Sequence, residues 1–141
     1  YPLNEKTSFR INQRFRELTK NKIKEKKIIT VKGRDFIIEN FYSGVARLKF
    51  TDLCDKNLGA EDYINIANVC KHIFIEDIPI FCNENSNQQL RFITLIDIFY
   101  EKKIKLTLSL DEDLKNLSSS MKHLEIFKRT VSRLFEMTKS P

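Results

Sequence analysis

The residue types best suited to chemistry in this chain lie near its end. Arg129 and Arg133 stand four residues apart beside an apolar seam of Leu124, Phe127, Val131 and Leu134. That seam has helical spacing, so one face can bury while both guanidinium groups project together from an adjoining face. Paired arginines on a rigid helix suit the gripping of phosphate or carboxylate, because each guanidinium is a planar fork of donors. They suit a salt-bridged surface equally well. Glu125 lies four residues before Arg129 and Glu136 three after Arg133. Such helical pairs contribute only roughly a few tenths of a kcal/mol each.

A second constellation is Glu76-Asp77, where an apolar run beginning at His72 ends in two acids before Pro79. A long apolar segment follows, then a second strand-like run that reaches Ser109. This order imitates the acid-tipped and polar-tipped strands of a nucleoside triphosphatase, where the acid holds magnesium and the polar residue touches the γ-phosphate. Any strand can end in acids, however. No glycine-rich loop followed by Lys and Ser/Thr is present, and Gly33, Gly44 and Gly59 are far apart, so the chain has no phosphate cradle of its own. A pre-proline turn and helix capping are the better assignments for Glu76 and Asp77. Asp97 is the one acid inside the most apolar segment. A buried carboxylate needs partners, which favours an ion pair or cap over a general base.

No Ser-His-Asp or Cys-His set is written in the local sequence. Cys54, Cys70 and Cys82 are odd in number, widely spaced and without a Cys-x-x-Cys pair, which argues against zinc and suits a reducing compartment. His72 and His123 are isolated and read as structural or surface residues.

The elements that must position these groups follow from composition and periodicity. With 141 residues, 41% hydrophobic and 31% charged, the chain fits one α/β region, 1–141, with a real core. No apolar run approaches the roughly 20 residues of a membrane helix. The start at Tyr1-Pro2-Leu3 lacks an initiator Met and reads as a fragment of something longer. A net charge of +6 favours acidic partners without choosing among protein, lipid and nucleic acid.

Residues 5–19 carry a helical stripe of Ile11, Phe15 and Leu18. The lysine-rich stretch 20–27 has no apolar period and reads as a solvated basic loop. Residues 28–31 and 35–38 form a hairpin around Lys32-Gly33-Arg34, and 45–50 alternate apolar and basic residues as a half-exposed strand does. Thr51 or Asp52 can cap a short turn, a helix starts near Leu58-Gly59, and a strand follows from His72. Ser86 can cap a helix from Asn87 to about Lys102 that is apolar almost all round and therefore sandwiched in the core. Residues 104–110 are a strand, Asp111 opens a short helix, Ser118-Ser119-Ser120 is a flexible break, and the closing helix spans about 121–138. Strands separated by helices imply a mixed or parallel sheet with flanking helices plus a β-hairpin.

Five stretches in order resemble the C-terminal part of the ZapE/AFG-one ATPases. They are Phe50-x-x-Leu53-Cys54, Leu58-Gly59-Ala60-x-Asp62-Tyr63, Asp77-Ile78-Pro79, Arg91-Phe92-Ile93-x-Leu95-Ile96-Asp97-x-x-Tyr100, and Phe127-x-Arg129-Thr130-x-Ser132-Arg133-Leu134-x-Glu136-Met137. The opening Pro2-Leu3 and the Gly33-Arg34 hairpin fit as well, so the resemblance covers essentially the whole chain. It departs at Leu90, where members usually carry a second arginine before Arg91. The resemblance implies the C-terminal portion of an AAA+-type P-loop ATPase whose phosphate loop and acidic strand lie upstream. It implies ATP and Mg2+ in the parent protein and none bound by this portion alone. It further implies a cytoplasmic protein, oligomeric in full length, that remodels a protein substrate or division-ring partner, with peripheral association at an inner membrane; nucleic acid is the least favoured partner. Arg129, Arg133 and Arg91 become candidates for sensing the transferring phosphoryl group. The alternative is a non-enzymatic basic module, in which 20–27 with Arg10, Arg14, Arg47 and Lys49 contacts an acidic protein, lipid or nucleic acid.

Overall fold

A computed structural model of the chain describes residues 5–114 and 117–139. The Pro2-Leu3 opening lies outside the described residues, and the short helix expected from Asp111 lies partly outside them. The chain begins with α1 (Glu5–Thr19), whose buried Ile11 and Phe15 form the expected stripe. Strands β1 (Glu25–Val31), β2 (Arg34–Tyr42) and β3 (Val45–Lys49) follow as an antiparallel meander. Then come α2 (Phe50–Cys54), α3 (Ala60–Val69), β4 (His72–Ile78), α4 (Ser86–Glu101), β5 (Lys105–Leu110) and α5 (Leu124–Met137). The sheet order is β1-β2-β3-β4-β5, and the β3–β4 and β4–β5 pairs are parallel. This is the expected α/β mixed sheet with a hairpin and flanking helices.

Two hairpin turns set the meander. Lys32 and Gly33 have φ of 50° and 76°, and Ser43 and Gly44 have φ of 45° and 91°. Positive φ at both central residues of a two-residue loop gives the twist that antiparallel strands need. The second of these hairpins was not anticipated, although Ser43-Gly44 between Tyr42 and Val45 is its signal. The lysine-rich stretch 20–27 is not wholly a loop either: β1 begins at Glu25, so residues 25–27 are strand. Pairing with β2 supplies the order that an apolar period does not.

Alternation along the central strands sorts the core into two layers. Ala46, Leu48, Ile73 and Ile75 face the main core, which α2 to α5 cover, while Val45 and Phe74 face Ile11 and Phe15 of α1. The molecule is therefore a helix–sheet–helix sandwich, as the period-2 side-chain alternation of buried strands requires. Within the main layer α4 lies between α3 and α5 and buries Phe92, Ile93, Leu95, Ile96 and Phe99. The all-round apolar character of its sequence has that cause.

Helix starts differ in detail from expectation. α2 starts at Phe50, and Asp52 caps it from inside by accepting the Lys49 N–H at 3.1 Å. α4 starts at Ser86 itself, because Asn85 is committed to the preceding turn, accepting from Cys82 N–H at 2.8 Å and donating to the Ile80 carbonyl at 3.0 Å. α3 starts as expected after Gly59, whose N–H donates to Asp62 at 2.9 Å. Ser118-Ser119-Ser120 is not a loose break. Buried Gln89 holds it, donating to Ser119 Oγ at 2.7 Å and accepting from Ser120 N–H at 3.1 Å and Ser120 Oγ at 2.7 Å. Ser118 in turn donates its N–H and hydroxyl to Glu112, at 3.0 and 2.8 Å.

Candidate functional site

The closing arginines lie where α5 runs alongside α4. Gln89 meets Ser120 near one end of the pair and Tyr100 meets Glu136 near the other, so the two helices run parallel. Helical spacing then puts Arg129 and Arg133 of α5 opposite Asp97 of α4. Arg133 Nη1 donates to Asp97 Oδ1 at 2.5 Å and Arg129 Nη2 to Asp97 Oδ2 at 3.3 Å. One carboxylate thus serves two guanidinium groups, an oxygen to each.

The two arginines are not equivalent. The Arg133 side chain is 21% exposed, and its guanidinium carbon sits 4.6 Å from the Tyr100 ring centroid. It is held by an ion pair and by a ring face at once. Tyr100 Oη in turn donates to Glu136 Oε2 at 2.8 Å, a bond that raises the phenol's pKa. The Arg129 side chain is 59% exposed and its bond to Asp97 is the longer one. Arg129 is the more exposed of the two cations that share Asp97.

Neither of the local acids expected to pair with these arginines does so. Glu125 pairs with Lys128 at 3.1 Å, and Glu136 accepts from Tyr100. The arginines' acid is Asp97, in the ion-paired role expected of it, although it sits at the helix seam and not deep in the core.

Arg91 lies elsewhere. Its Nη1 donates to the Cys54 carbonyl at 3.0 Å, which places a cation at the C-terminal end of α2, where the helix dipole favours one. Arg91 fastens α4 to α2 and is not gathered with Arg129 and Arg133. Leu90 beside it is 43% exposed.

Glu76 and Asp77 also have structural partners. Glu76 forms a close ion pair with Arg47, which donates to Asn12 Oδ1 at 2.6 Å and lies 5.3 Å from the Phe15 ring centroid. This cluster pins α1 to the sheet. Asp77 has a φ of 60° at a break in the β4–β5 register, and its N–H donates to Ser109 Oγ at 2.8 Å. Among the described residues no group of three or more His, Cys, Asp or Glu side chains is arranged to hold a metal ion. Gly33 and Gly44 build hairpin turns and Gly59 caps α3, so each glycine has a local structural task.

The histidines and two of the cysteines are structural. His72 Nε2 is 2.7 Å from Thr107 Oγ1, and burial, helped by Arg14, Lys105 and Lys22, lowers its pKa to about 4. His123 is buried in the turn before α5. Burial pushes the Cys54 and Cys70 thiols up to about 12, which suppresses the reactive thiolates. Cys82 is exposed.

Other residues of the motif-like stretches bind those stretches together, a role that local sequence reading did not assign. Buried Asp62 accepts from Arg34 Nη2 at 3.2 and 3.3 Å, and Arg34 also donates to the Asn57 carbonyl at 3.1 Å. Buried Tyr63 donates its hydroxyl to the Leu53 carbonyl at 2.7 Å.

The fold defines the class: a three-layer α/β domain on a mixed five-stranded sheet, an architecture that suits a P-loop ATPase. A family model described as AFG1-like ATPase matches residues 1–141, and the chain belongs to that family. It is 31% identical over 109 residues to Lactation elevated protein 1 homolog B of Danio rerio, covering 76% of this chain and 22% of that protein. It is 25% identical over 136 residues to Cell division protein ZapE of Escherichia coli K12, covering 96% of this chain and 36% of that protein. An uncharacterised protein of Schizosaccharomyces pombe is 35% identical over 81 residues, covering 57% of this chain and 18% of its own. The chain thus spans about a fifth to a third of the length of these relatives. No solved structure matches it. Among the described residues no helix is long and apolar enough to cross a membrane.

Proposed function

We propose that these residues form the arginine-bearing, C-terminal α/β portion of an ATPase that couples ATP hydrolysis to remodelling of a protein partner. Family membership supports the ATPase class. The arrangement at the α4–α5 seam supports the role: Arg133 is anchored by Asp97 and Tyr100, while Arg129 shares the same acid and stays largely exposed. Of the three candidate arginines, Arg129 is therefore the one assigned to meet phosphate. It would hold the negative charge that builds on the transferring phosphoryl oxygens, and a guanidinium in that role is worth orders of magnitude in rate. Arg133 and Asp97 position it; Arg91 holds α2.

In this reading the phosphate cradle and the magnesium-holding acids come from sequence outside these 141 residues. The portion by itself neither binds ATP well nor hydrolyses it. A full-length protein with Arg129→Ala should keep its nucleotide affinity and lose turnover, whether the arginine serves its own subunit or a neighbour in an oligomer. Wild-type turnover in both Arg129→Ala and Arg133→Ala would exclude a catalytic arginine on this helix. The division protein among the relatives makes a division-ring component the partner class to test first. A cytoplasmic protein with peripheral membrane association is part of the same reading.

A second reading rests on a separate observation. Arg10, Arg16, Lys20, Lys22, Lys24 and Lys26 are exposed and have no ion-pair partner among the described residues. Lys20, Lys22, Lys24 and Lys26 follow the end of α1 and give a basic stretch that suits an acidic protein or lipid. Arg47 does not belong to it, because it is committed to Glu76 and Asn12. Steeply salt-dependent binding to anionic vesicles or DNA would favour this reading; salt-insensitive or absent binding would remove it.

A further inference from the structure

The two outer strands of the sheet are finished differently. β1 opens with Glu25-Lys26-Lys27, and its register with β2 slips between Glu25 and Lys27. Lysines and irregular pairing are the usual means by which an edge strand discourages a newcomer. β5, at the other end, pairs only with β4 among the described residues. A cavity of about 540 Å³ lies against it, lined by Lys105, Leu106, Thr107 and Leu108 in succession. Consecutive strand side chains point to opposite faces. The cavity touches four β5 residues in a row and reaches His72 of β4, so it wraps the strand's outer side, where no strand pairs with β5 among the described residues.

The groove has walls and a charge. Leu18 of α1 and Met137 of α5 line it. These two helices lie on opposite faces of the sheet, so a strand laid along β5 would find an apolar wall on each side for its alternating side chains. Arg14, Lys105 and Lys139 also line the groove, against one acid, Asp113. Lys105 and Lys139 have no ion-pair partner among the described residues, and Arg14 has only a 3.5 Å contact with exposed Glu17.

We propose that the open edge of β5 is a docking groove for an extended segment of a partner protein whose central residues are consecutively apolar, pointing in turn to the two helix walls, and whose ends are acidic. Main-chain bonds to β5 would give affinity, the two helices would take the apolar side chains, and the cation rim would select acids over bases. This goes beyond the phosphate-sensing role of Arg129 and stands or falls separately from it.

The test is binding of a fluorescein-labelled Glu-Glu-Val-Val-Val-Val-Glu-Glu peptide to the full-length protein, read by anisotropy and by hydrogen exchange of the β5 amides. Two control peptides are its Lys-for-Glu counterpart and the acidic peptide N-methylated at every valine, which removes the central donors from both edges. The acidic peptide should bind, slow exchange at 105–110, and bind about tenfold more tightly than the lysine peptide. The N-methylated peptide should fail to bind. Lys105→Glu with Lys139→Glu, both solvent-facing, should reverse the charge preference while the far-ultraviolet circular dichroism stays unchanged. Equal binding of the N-methylated peptide would overturn the strand-addition geometry, and unaltered β5 exchange would overturn the location. Concentration-dependent self-association that protects β5 without peptide would overturn the proposal in favour of a second copy of this chain.

Discussion

The shared carboxylate at the α4–α5 seam permits a quantitative prediction about the arginines. Asp97→Asn removes its charge and keeps its shape. Arg133 is 21% exposed and is also covered by the Tyr100 ring, so its coupling to Asp97 is that of a partly desolvated, charge-assisted hydrogen bond, about 1–2 kcal/mol. Arg129 is 59% exposed and bonded at 3.3 Å, so its coupling is that of a surface pair, about 0.2–0.5 kcal/mol. Double-mutant cycles combining Asp97→Asn with Arg133→Gln and with Arg129→Gln, followed by urea unfolding, separate the two. Asp97→Asn alone should lose about 2 kcal/mol, a fall in Tm of roughly 4–8 °C for a chain of this size. In 1 M salt, where the Debye length is about 3 Å, the Arg129 coupling should vanish and most of the Arg133 coupling should persist. Equal couplings for the two arginines, or a larger one for Arg129, would refute the division into an anchored and an available arginine.

Three further outcomes follow from the packing. Phe92 is fully buried against Phe50 and Phe81, so Phe92→Ala should cost about 3–5 kcal/mol in chemical denaturation. The Thr130 hydroxyl is buried with no hydrogen-bond partner among the described residues, so Thr130→Val should be neutral or stabilise by about 1 kcal/mol, seen as an unchanged or raised Tm. His72 is neutral in the fold down to a pKa of about 4, whereas in the unfolded chain it titrates near 6.5. Between those values the unfolded state binds more protons, so stability falls as pH drops through that window. Allowing for its partial exposure the loss is about 1–2 kcal/mol, and His72→Gln should flatten the pH dependence of urea midpoints between pH 6.5 and 4.

Elements whose burial is periodic could be read from sequence. The stripe Ile11, Phe15, Leu18 and the all-round apolar α4 declared themselves because their packing partners lie along whole faces. Residues 25–27 did not, because an edge strand takes its order from its neighbour and not from its own side chains. The Ser43-Gly44 turn was hidden between two strands that both alternate. The candidate site was legible as residue types and illegible as pairs. Glu125 and Glu136 were the acids at helical distance, yet the acid that holds the arginines is 32 and 36 residues away. Its one local signal was a carboxylate stranded in an apolar helix. Local spacing likewise could not tell Arg91 from Arg129, since the Cys54 carbonyl that holds Arg91 lies 37 residues away.

The central claim is that Arg129 is the arginine left free to meet phosphate while Arg133 is held. Its most direct test is the turnover number of the full-length protein carrying Arg129→Gln, at saturating ATP and Mg2+, with nucleotide affinity measured in parallel. The account predicts a fall of at least about a hundredfold in turnover, with affinity and Tm close to wild type. Turnover within about twofold of wild type would contradict it.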